Sequence, residues 1–275
     1  MEEYHLTNNQ LEIINGALLG DGTISKPYEG HPNSVFVYSS KIKEHVIFVT
    51  TPLYNLTSEK GQLSFLEVYD KRTEKVYNRY TFRTLTNTIF TKIRNKWYSE
   101  GKKIIPSDLK LTPLTCLIWY LGDGYLSSNG NKTSQELIFS TDCFAKEDLE
   151  TILLPQLREF EPHIRGSQNK FHIVIPHKKI KDFLNYIGSC PVEEYKYKWA
   201  FRDYKHKGFE NKEEKIKKAI IAYNYGANMN EISRYLDVSS QTVRSWLIKN
   251  NIDTKINAFS HIKIEDKWFN EEKIN

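Results

Sequence analysis

The chain has 275 residues, 39% of them hydrophobic, which is enough apolar content to build a core and excludes a disordered or fibrous protein. Thirty-nine Lys and Arg against 34 Asp and Glu leave a net charge of +5, a basic excess that permits nucleic-acid binding without demanding it. Three cysteines, Cys116, Cys143 and Cys190, are odd in number and lack C-x-x-C spacing, which excludes a disulfide framework and a cysteine zinc site and fits a reducing, intracellular setting.

The first residues, "MEEYHLTNNQ", are polar and acidic, and no stretch approaches 18 apolar residues, so neither a signal peptide nor a membrane span is expected. The first element is "QLEIINGALLGDG", where Leu11, Ile14 and Leu18 fall at helical spacing and Gly16, Ala17 and Gly20 present almost no side chain. After it come a short strand ("TISK"), a longer one ("SVFVYSS") and a charged helix ending in Pro52 ("KIKEHVIFVTTPL"). "QLSFLEVYD" and "VYNRYTFRT" then straddle the turn-rich "KRTEK" as a hairpin, and an amphipathic helix spans about Leu85 to Ser99.

The same order then begins again. "PLTCLIWYLGDG", with Pro113 suited to a first helical turn, repeats the LGDG ending 102 residues on, Asp21 being matched by Asp123. "YLSS", "ELIFST", "AKEDLETILLPQL" with Pro155, the hairpin "HIRGSQNKFHIVIPH" and a helix from Lys178 to Ile187 follow. The unit is helix, two strands, helix, two strands, helix, used twice, and a duplicated sheet predicts a pseudo-twofold axis. The expected organisation is a first repeat over 1–101, a second over 102–202, a polar linker over 203–212, a helical module over 213–255 and a tail over 256–275 for which the sequence carries no reading.

Aspartate after a helix is ordinarily a stop signal, but a stop does not require the same acid at matching places in two repeats. If the two motif helices pack on the axis, Asp21 and Asp123 emerge side by side, and paired carboxylates repel unless a cation sits between them. A hard divalent ion resolves the conflict. Mg2+ is the expected cofactor, with Mn2+ able to substitute, and phosphodiester hydrolysis is the chemistry it would serve.

"INGALLGDG" (Ile14 to Gly22) and "CLIWYLGDG" (Cys116 to Gly124) resemble the two motifs of single-chain LAGLIDADG homing endonucleases, and the likeness covers about residues 8 to 202. Both copies depart from the motif: its first acid stands as Leu19 or Leu121, and the second copy carries bulky Ile118, Trp119 and Tyr120 in mid-helix. The resemblance implies an α+β fold of two αββαββα repeats whose saddle-shaped antiparallel sheets straddle duplex DNA. It also implies a monomer, Asp21 and Asp123 as metal-binding catalytic acids, and the Gly20 and Gly122 carbonyls as auxiliary metal ligands. A basic residue beside each site is implied as well. Lys103 in "GKKIIP" and Lys198 in "EEYKYKW" occupy those places, with neighbouring Lys102 and Lys196 as the alternatives.

Saddle strands alternate between core and DNA. Tyr77, Arg79, Thr81 and Arg83 share one face of the hairpin strand and are the expected base readers, opposite Val76, Tyr80 and Phe82. Lys170 and His172 oppose Phe171, Ile173 and Ile175 in the same way. Arg72, Lys75, Lys132 and Arg165 are expected in turns, on phosphates.

The last segment, "NMNEISRYLDVSSQTVRSWLIKNNI", reads as a helix-turn-helix DNA-binding module preceded by the helix "EEKIKKAIIAYNYG". Ile232, Leu236, Val243, Trp246 and Leu247 supply the apolar stripes, Val238 fills the turn and Ser239 caps. Ser240, Gln241, Thr242, Arg244, Ser245 and Lys249 would face the major groove. The expected function is site-specific double-strand cleavage of a long DNA target, serving mobility of an intron or intein. The competing readings are a non-cleaving LAGLIDADG and helix-turn-helix transcription regulator, and a maturase acting on intron RNA.

Overall fold

Thr7 and Gln10 start the first helix, α1 (Asn8–Leu19), with a reciprocal box in which each side chain accepts from the other's backbone amide. The computed structural model describes residues 5–27, 29–30, 32–128, 134–168, 170–202, 212–254 and 264–269. After α1 come β1 (Thr23–Ile24), β2 (Phe36–Ser40), α2 (Lys43–Thr50), a 3-10 turn (Thr51–Leu56), the single-turn α3 (Glu59–Gln62), β3 (Ser64–Asp70), β4 (Lys75–Arg83) and α4 (Thr88–Trp97). The strands pair antiparallel in the order β1-β2-β4-β3. A two-stranded ribbon, β5 (Tyr98–Ser99) and β6 (Lys102–Lys103), leads into the second repeat.

That repeat opens with α5 (Pro113–Asp123), with Pro113 in its first turn and the Thr112 hydroxyl accepting from the Thr115 amide. It continues through β7 (Gly124–Ser128), β8 (Gln135–Ser140), α6 (Lys146–Asp148), a π turn (Leu149–Leu153), α7 (Leu154–Gln156), β9 (His163–Ser167), β10 (Lys170–Ile175) and α8 (His177–Ile187). Its sheet order, β7-β8-β10-β9, matches that of the first sheet strand for strand. The architecture is the expected pair of αββαββα repeats.

The two motif helices pack on each other along their length. A Cβ built on Gly16 of α1 would stand 2.5 Å from the Thr115 carbonyl oxygen and 2.8 Å from Ile118 Cβ, so only glycine permits this approach. The same contact accounts for the bulky middle of α5: Ile118 fills the space that Gly16 leaves open. Trp119 and Tyr120 turn instead onto their own sheet, where Trp119 stacks on Phe139 at 3.9 Å between ring centroids.

Several local expectations shift. α4 begins at Thr88 because the Asn87 side chain caps it, accepting from the Ile89 amide, and Leu85 stays outside the helix and exposed. Proline does not end the second helical segment: the π turn bonds the Leu154 amide to the Leu149 carbonyl, and Pro155 follows inside α7. Leu11 is exposed, although Ile14 and Leu18 are fully buried. Val76, expected on the core face, is 59% exposed and Tyr80 half-buried, because the β3–β4 hairpin runs past the end of the core; Phe82 alone of that set is fully buried.

The chain divides into two compact units, Met1–Asp203 and Tyr204–Asn275. In the second, α9 (Lys212–Asn224), α10 (Met229–Leu236) and α11 (Ser240–Lys249) enclose a small core of Ala219, Tyr223, Ile232, Val243 and Leu247. The Ser239 hydroxyl caps α11 by accepting from the Thr242 amide. A turn in the tail (Asp266–Phe269) belongs to this unit: Trp268 stacks on Tyr225 and Phe269 on Tyr235. Among the described residues no helix is long and apolar enough to cross a membrane.

Candidate active site and nucleic-acid interface

α1 and α5 end together. A Cβ built on Gly20 would lie 3.6 Å from Asp123 Oδ2, and one on Gly122 would lie 3.4 Å from Asp21 Oδ2. Each glycine thus faces the other repeat's acid, and the contact is reciprocal, as a twofold axis requires. The C-terminal ends of two helices, each carrying partial negative charge, and two carboxylates meet at one point.

The lysines complete the symmetry. Lys103, delivered by the β5–β6 ribbon, donates from Nζ to the carbonyls of Leu18 and Gly20, each at 2.9 Å. Lys198, on the 3-10 turn Glu193–Trp199, donates to the carbonyls of Tyr120, Leu121 and Gly122 at 3.3, 2.6 and 3.3 Å. Each ammonium therefore sits on the carbonyl end of one motif helix, Lys103 on α1 and Lys198 on α5. Lys102 and Lys196 do not reach the site: both are exposed, and Lys196 pairs with Glu193 at 2.7 Å.

The electrostatics follow from crowding. Desolvation by the surrounding protein raises the pKa of Asp21, against the opposing pull of Lys198 and Lys103. Asp123 is pushed up to about 6, first by desolvation and then by Asp21, again against the two lysines. Burial brings Lys198 down to about 8, with both aspartates opposing the change. Among the described residues neither carboxylate has a hydrogen bond or an ion pair within 4 Å, and no cluster of three or more His, Cys, Asp or Glu could hold a metal by itself. The donor set is two carboxylates and backbone carbonyls, all oxygen, which suits a hard divalent cation whose shell is completed by water and phosphate. The Gly20 and Gly122 carbonyls already accept from lysine, so only their second lone pairs are available.

A cavity of about 900 Å3 runs from Asp21 across the first sheet and brings together Ser39, Lys41, Arg72, Tyr77, Arg79 and Tyr195. Tyr77 is fixed there, its hydroxyl 3.1 Å from Thr73 Oγ1 and its ring 3.7 Å below the Lys41 ammonium. Arg79 is exposed. Thr81 shares a hydrogen bond with Ser39 at 2.9 Å, and Arg83 lines a separate hollow beside Gly61 and Leu85. The register places Leu66 opposite Arg79 and Val68 opposite Tyr77, so an apolar pair that the sequence reading passed over joins the same face. Leu66 and Val68 stand two apart on β3 and so share a face, which is the signal the sequence carries.

The expected phosphate contacts divide. Arg72 lies in the β3–β4 turn, 3.6 Å from Asp70, but Lys75 is the first residue of β4. Arg165 is not in a turn: it lies within β9, opposite His172, and pairs with Glu136 at 2.7 Å. Lys132 lies outside the described residues. Lys170 is exposed, and His172 is half-buried with Nδ1 3.6 Å from Asp142. On α11, Ser240, Gln241, Arg244, Ser245 and Lys249 are exposed, while Thr242 is half-buried against Ser239.

Two like repeats, joined through glycine-faced helices that present one acid each to a common point, define a pseudo-symmetric two-repeat protein with a single composite site. The chain belongs to the LAGLIDADG DNA endonuclease family, whose profile matches residues 11–183. Among solved structures it is similar to the homing endonuclease I-WcaI bound to its DNA recognition sequence, with a TM-score of 0.62 and 24% identity over 72% of this chain and 89% of that one. It is 28% identical over 151 residues to the cytochrome b mRNA maturase bI2 of Debaryomyces hansenii, covering 54% of this chain and 55% of that protein. It is 37% identical over 157 residues to an uncharacterised protein of Methanocaldococcus jannaschii, covering 54% and 56%. The chain spans about half the length of these curated relatives.

Proposed function

We propose that the protein is a site-specific endonuclease that hydrolyses both strands of a long, asymmetric DNA duplex, as a monomer, in the service of intron or intein mobility. The observation that carries this reading is the reciprocal seating of Asp21 on Gly122 and Asp123 on Gly20, with one lysine on each carbonyl end. Mg2+, or Mn2+ in its place, held by Asp21 and Asp123, would supply a Lewis acid for the scissile phosphate and lower the pKa of the attacking water. The residues of the chain do the rest. Lys103 and Lys198 favour the ionised form of both carboxylates against their desolvation and offset the negative ends of α1 and α5. Tyr77, Arg79, Leu66 and Val68 supply the groove-reading face of the first sheet, and Arg72 holds phosphate. The second unit adds a helix-turn-helix reader through α11, which lengthens the footprint.

The test is incubation with duplex DNA in which the sequences flanking the gene are joined without it, in Mg2+ and in chelator, beside Asp21→Asn and Asp123→Asn. Double-strand cuts by the wild type in Mg2+ and loss of cutting in the variants support the proposal; binding without cutting defeats it. The likeness to the cytochrome b mRNA maturase of Debaryomyces hansenii favours a second reading, action on intron RNA. Splicing assistance that survives Asp21→Asn would separate that activity from cleavage.

A further inference from the structure

His45, on α2 of the first repeat, is fully buried, yet the acid and lysine constellation makes no use of it. Its Nε2 is 2.9 Å from the Tyr38 hydroxyl, and its Nδ1 is 3.1 Å from the Tyr195 hydroxyl and 3.2 Å from Ser40 Oγ. Burial first, and the Lys198 ammonium second, push its pKa down to about 3, so the imidazole is neutral and offers one donor and one acceptor. Tyr195 lies 150 residues away, on the 3-10 turn Glu193–Trp199 that also carries Lys198. In a 3-10 helix residues three apart eclipse, and the Lys198 Nζ lies 4.6 Å from the Tyr195 ring centroid.

We infer that His45 is a positioning residue: through the Tyr195 hydroxyl it latches the turn of the second repeat onto the first and thereby aims Lys198 at the carbonyl end of α5. The other lysine is held differently. Lys103 stands opposite Tyr98 on the β5–β6 ribbon, and the Tyr98 hydroxyl is 3.2 Å from both Thr23 Oγ1 and the Ile24 amide, so the ribbon is anchored to β1, next to the helix that Lys103 serves. The latch is therefore one-sided. If cleavage is as proposed above, on which this consequence rests, loosening the latch impairs the half-site that Lys198 serves and spares the other.

The imidazole can be dissected by replacing one ring nitrogen at a time. His45→Asn leaves a polar group near the Nδ1 position, towards Tyr195, whereas His45→Gln leaves one near Nε2, towards Tyr38. Tyr195→Phe keeps the ring and removes only the latching hydroxyl. Two readouts apply to each full-length variant: single-turnover cutting of each separately end-labelled strand, and the 13Cε resonance of Lys198, displaced in the wild type by the Tyr195 ring current.

Tyr195→Phe and His45→Gln should shift that resonance and slow one strand about tenfold, the loss of one partly buried hydrogen bond, with DNA affinity unchanged. The slowed strand should be the one that Lys198→Met slows, Tyr195→Phe should add nothing to Lys198→Met, and His45→Asn should retain most of the rate. Equal slowing of both strands, or a Lys198 resonance unmoved in folded Tyr195→Phe, overturns the latch. A wild type that cuts no DNA defeats the proposed function, and the resonance still decides the latch.

Discussion

Gly16→Ala tests the helix contact on which the site depends, because two effects of opposite sign compete. In a helix interior, alanine is favoured over glycine by about 1 kcal/mol, so an unobstructed Gly16 would gain stability on substitution. The added methyl group, however, would meet the Thr115 carbonyl at 2.5 Å and Ile118 Cβ at 2.8 Å, and the first obstacle is backbone that cannot rotate away. Relieving both contacts separates α1 and α5 by roughly 0.5–1 Å in a core packed at crystal density. Overpacking of this kind costs about 1–3 kcal/mol, and a backbone obstacle places it in the upper part of that range. The net expectation is a loss of about 1–2 kcal/mol, which in a unit of this size lowers Tm by roughly 2–8 °C. Calorimetry of the full chain without metal reads it directly. A Gly16→Ala protein that melts at or above the wild-type temperature would show that the helices are not in backbone contact, and the reasoning for a shared acid site would fail with it.

Asp123, whose pKa stands at about 6 in the fold, contributes stability with the sign of a raised carboxylate. Between its ordinary value and 6 the folded state binds more protons than the unfolded one. Metal-free stability therefore rises as pH falls through 6 and is lowest above it. Asp123→Asn should accordingly raise metal-free stability by about 1–2 kcal/mol at pH 7.5 after solvent screening and by roughly a third as much at pH 4.5, read as Tm at the two pH values; equal effects at both count against a desolvated acid. Divalent metal must displace that proton, so titration calorimetry at pH 6 in buffers of different ionisation enthalpy should show about half a proton released per ion, falling towards zero at pH 8. For DNA, Arg79→Ala should relax base preference at one or two positions, while Arg72→Ala should weaken all sequences alike and reduce the salt slope by about 1. A uniform loss from Arg79→Ala would remove it from the base-reading face.

Much of this protein is legible in its sequence because the relevant information is local or repeated. The LGDG endings, the strand alternation around Tyr77 and Arg79, the Pro113 start and the Ser239 cap each depend on residues within a turn or two, and duplication at a spacing of 102 marks the pair as one device. The resemblance points to Lys103 and Lys198 but leaves Lys102 and Lys196 open, since Lys102 and Lys103 differ only by which face of a two-residue strand they occupy. The β5–β6 pairing decides that, and no periodicity can be read over so short a ribbon.

Other features depend on residues far apart in sequence. Arg165 reads as a turn residue beside Gly166, but Glu136 on another strand pairs with it inside the sheet. Val76 has the spacing of a core residue and is exposed, because alternation gives the face of a strand and not how far the core extends beneath it. His45 carried no signal at all: a lone histidine in "KIKEHV" becomes a latch only when Tyr195, from the other repeat, is brought to its ring. The sequence by itself determined the two repeats, the paired acids and the glycines that let their helices meet. Tertiary structure alone decided which lysine reaches each carbonyl end, that among the described residues neither acid accepts a hydrogen bond, and what holds the Lys198 turn in place. These depend on distances between segments distant in sequence, which local pattern does not encode.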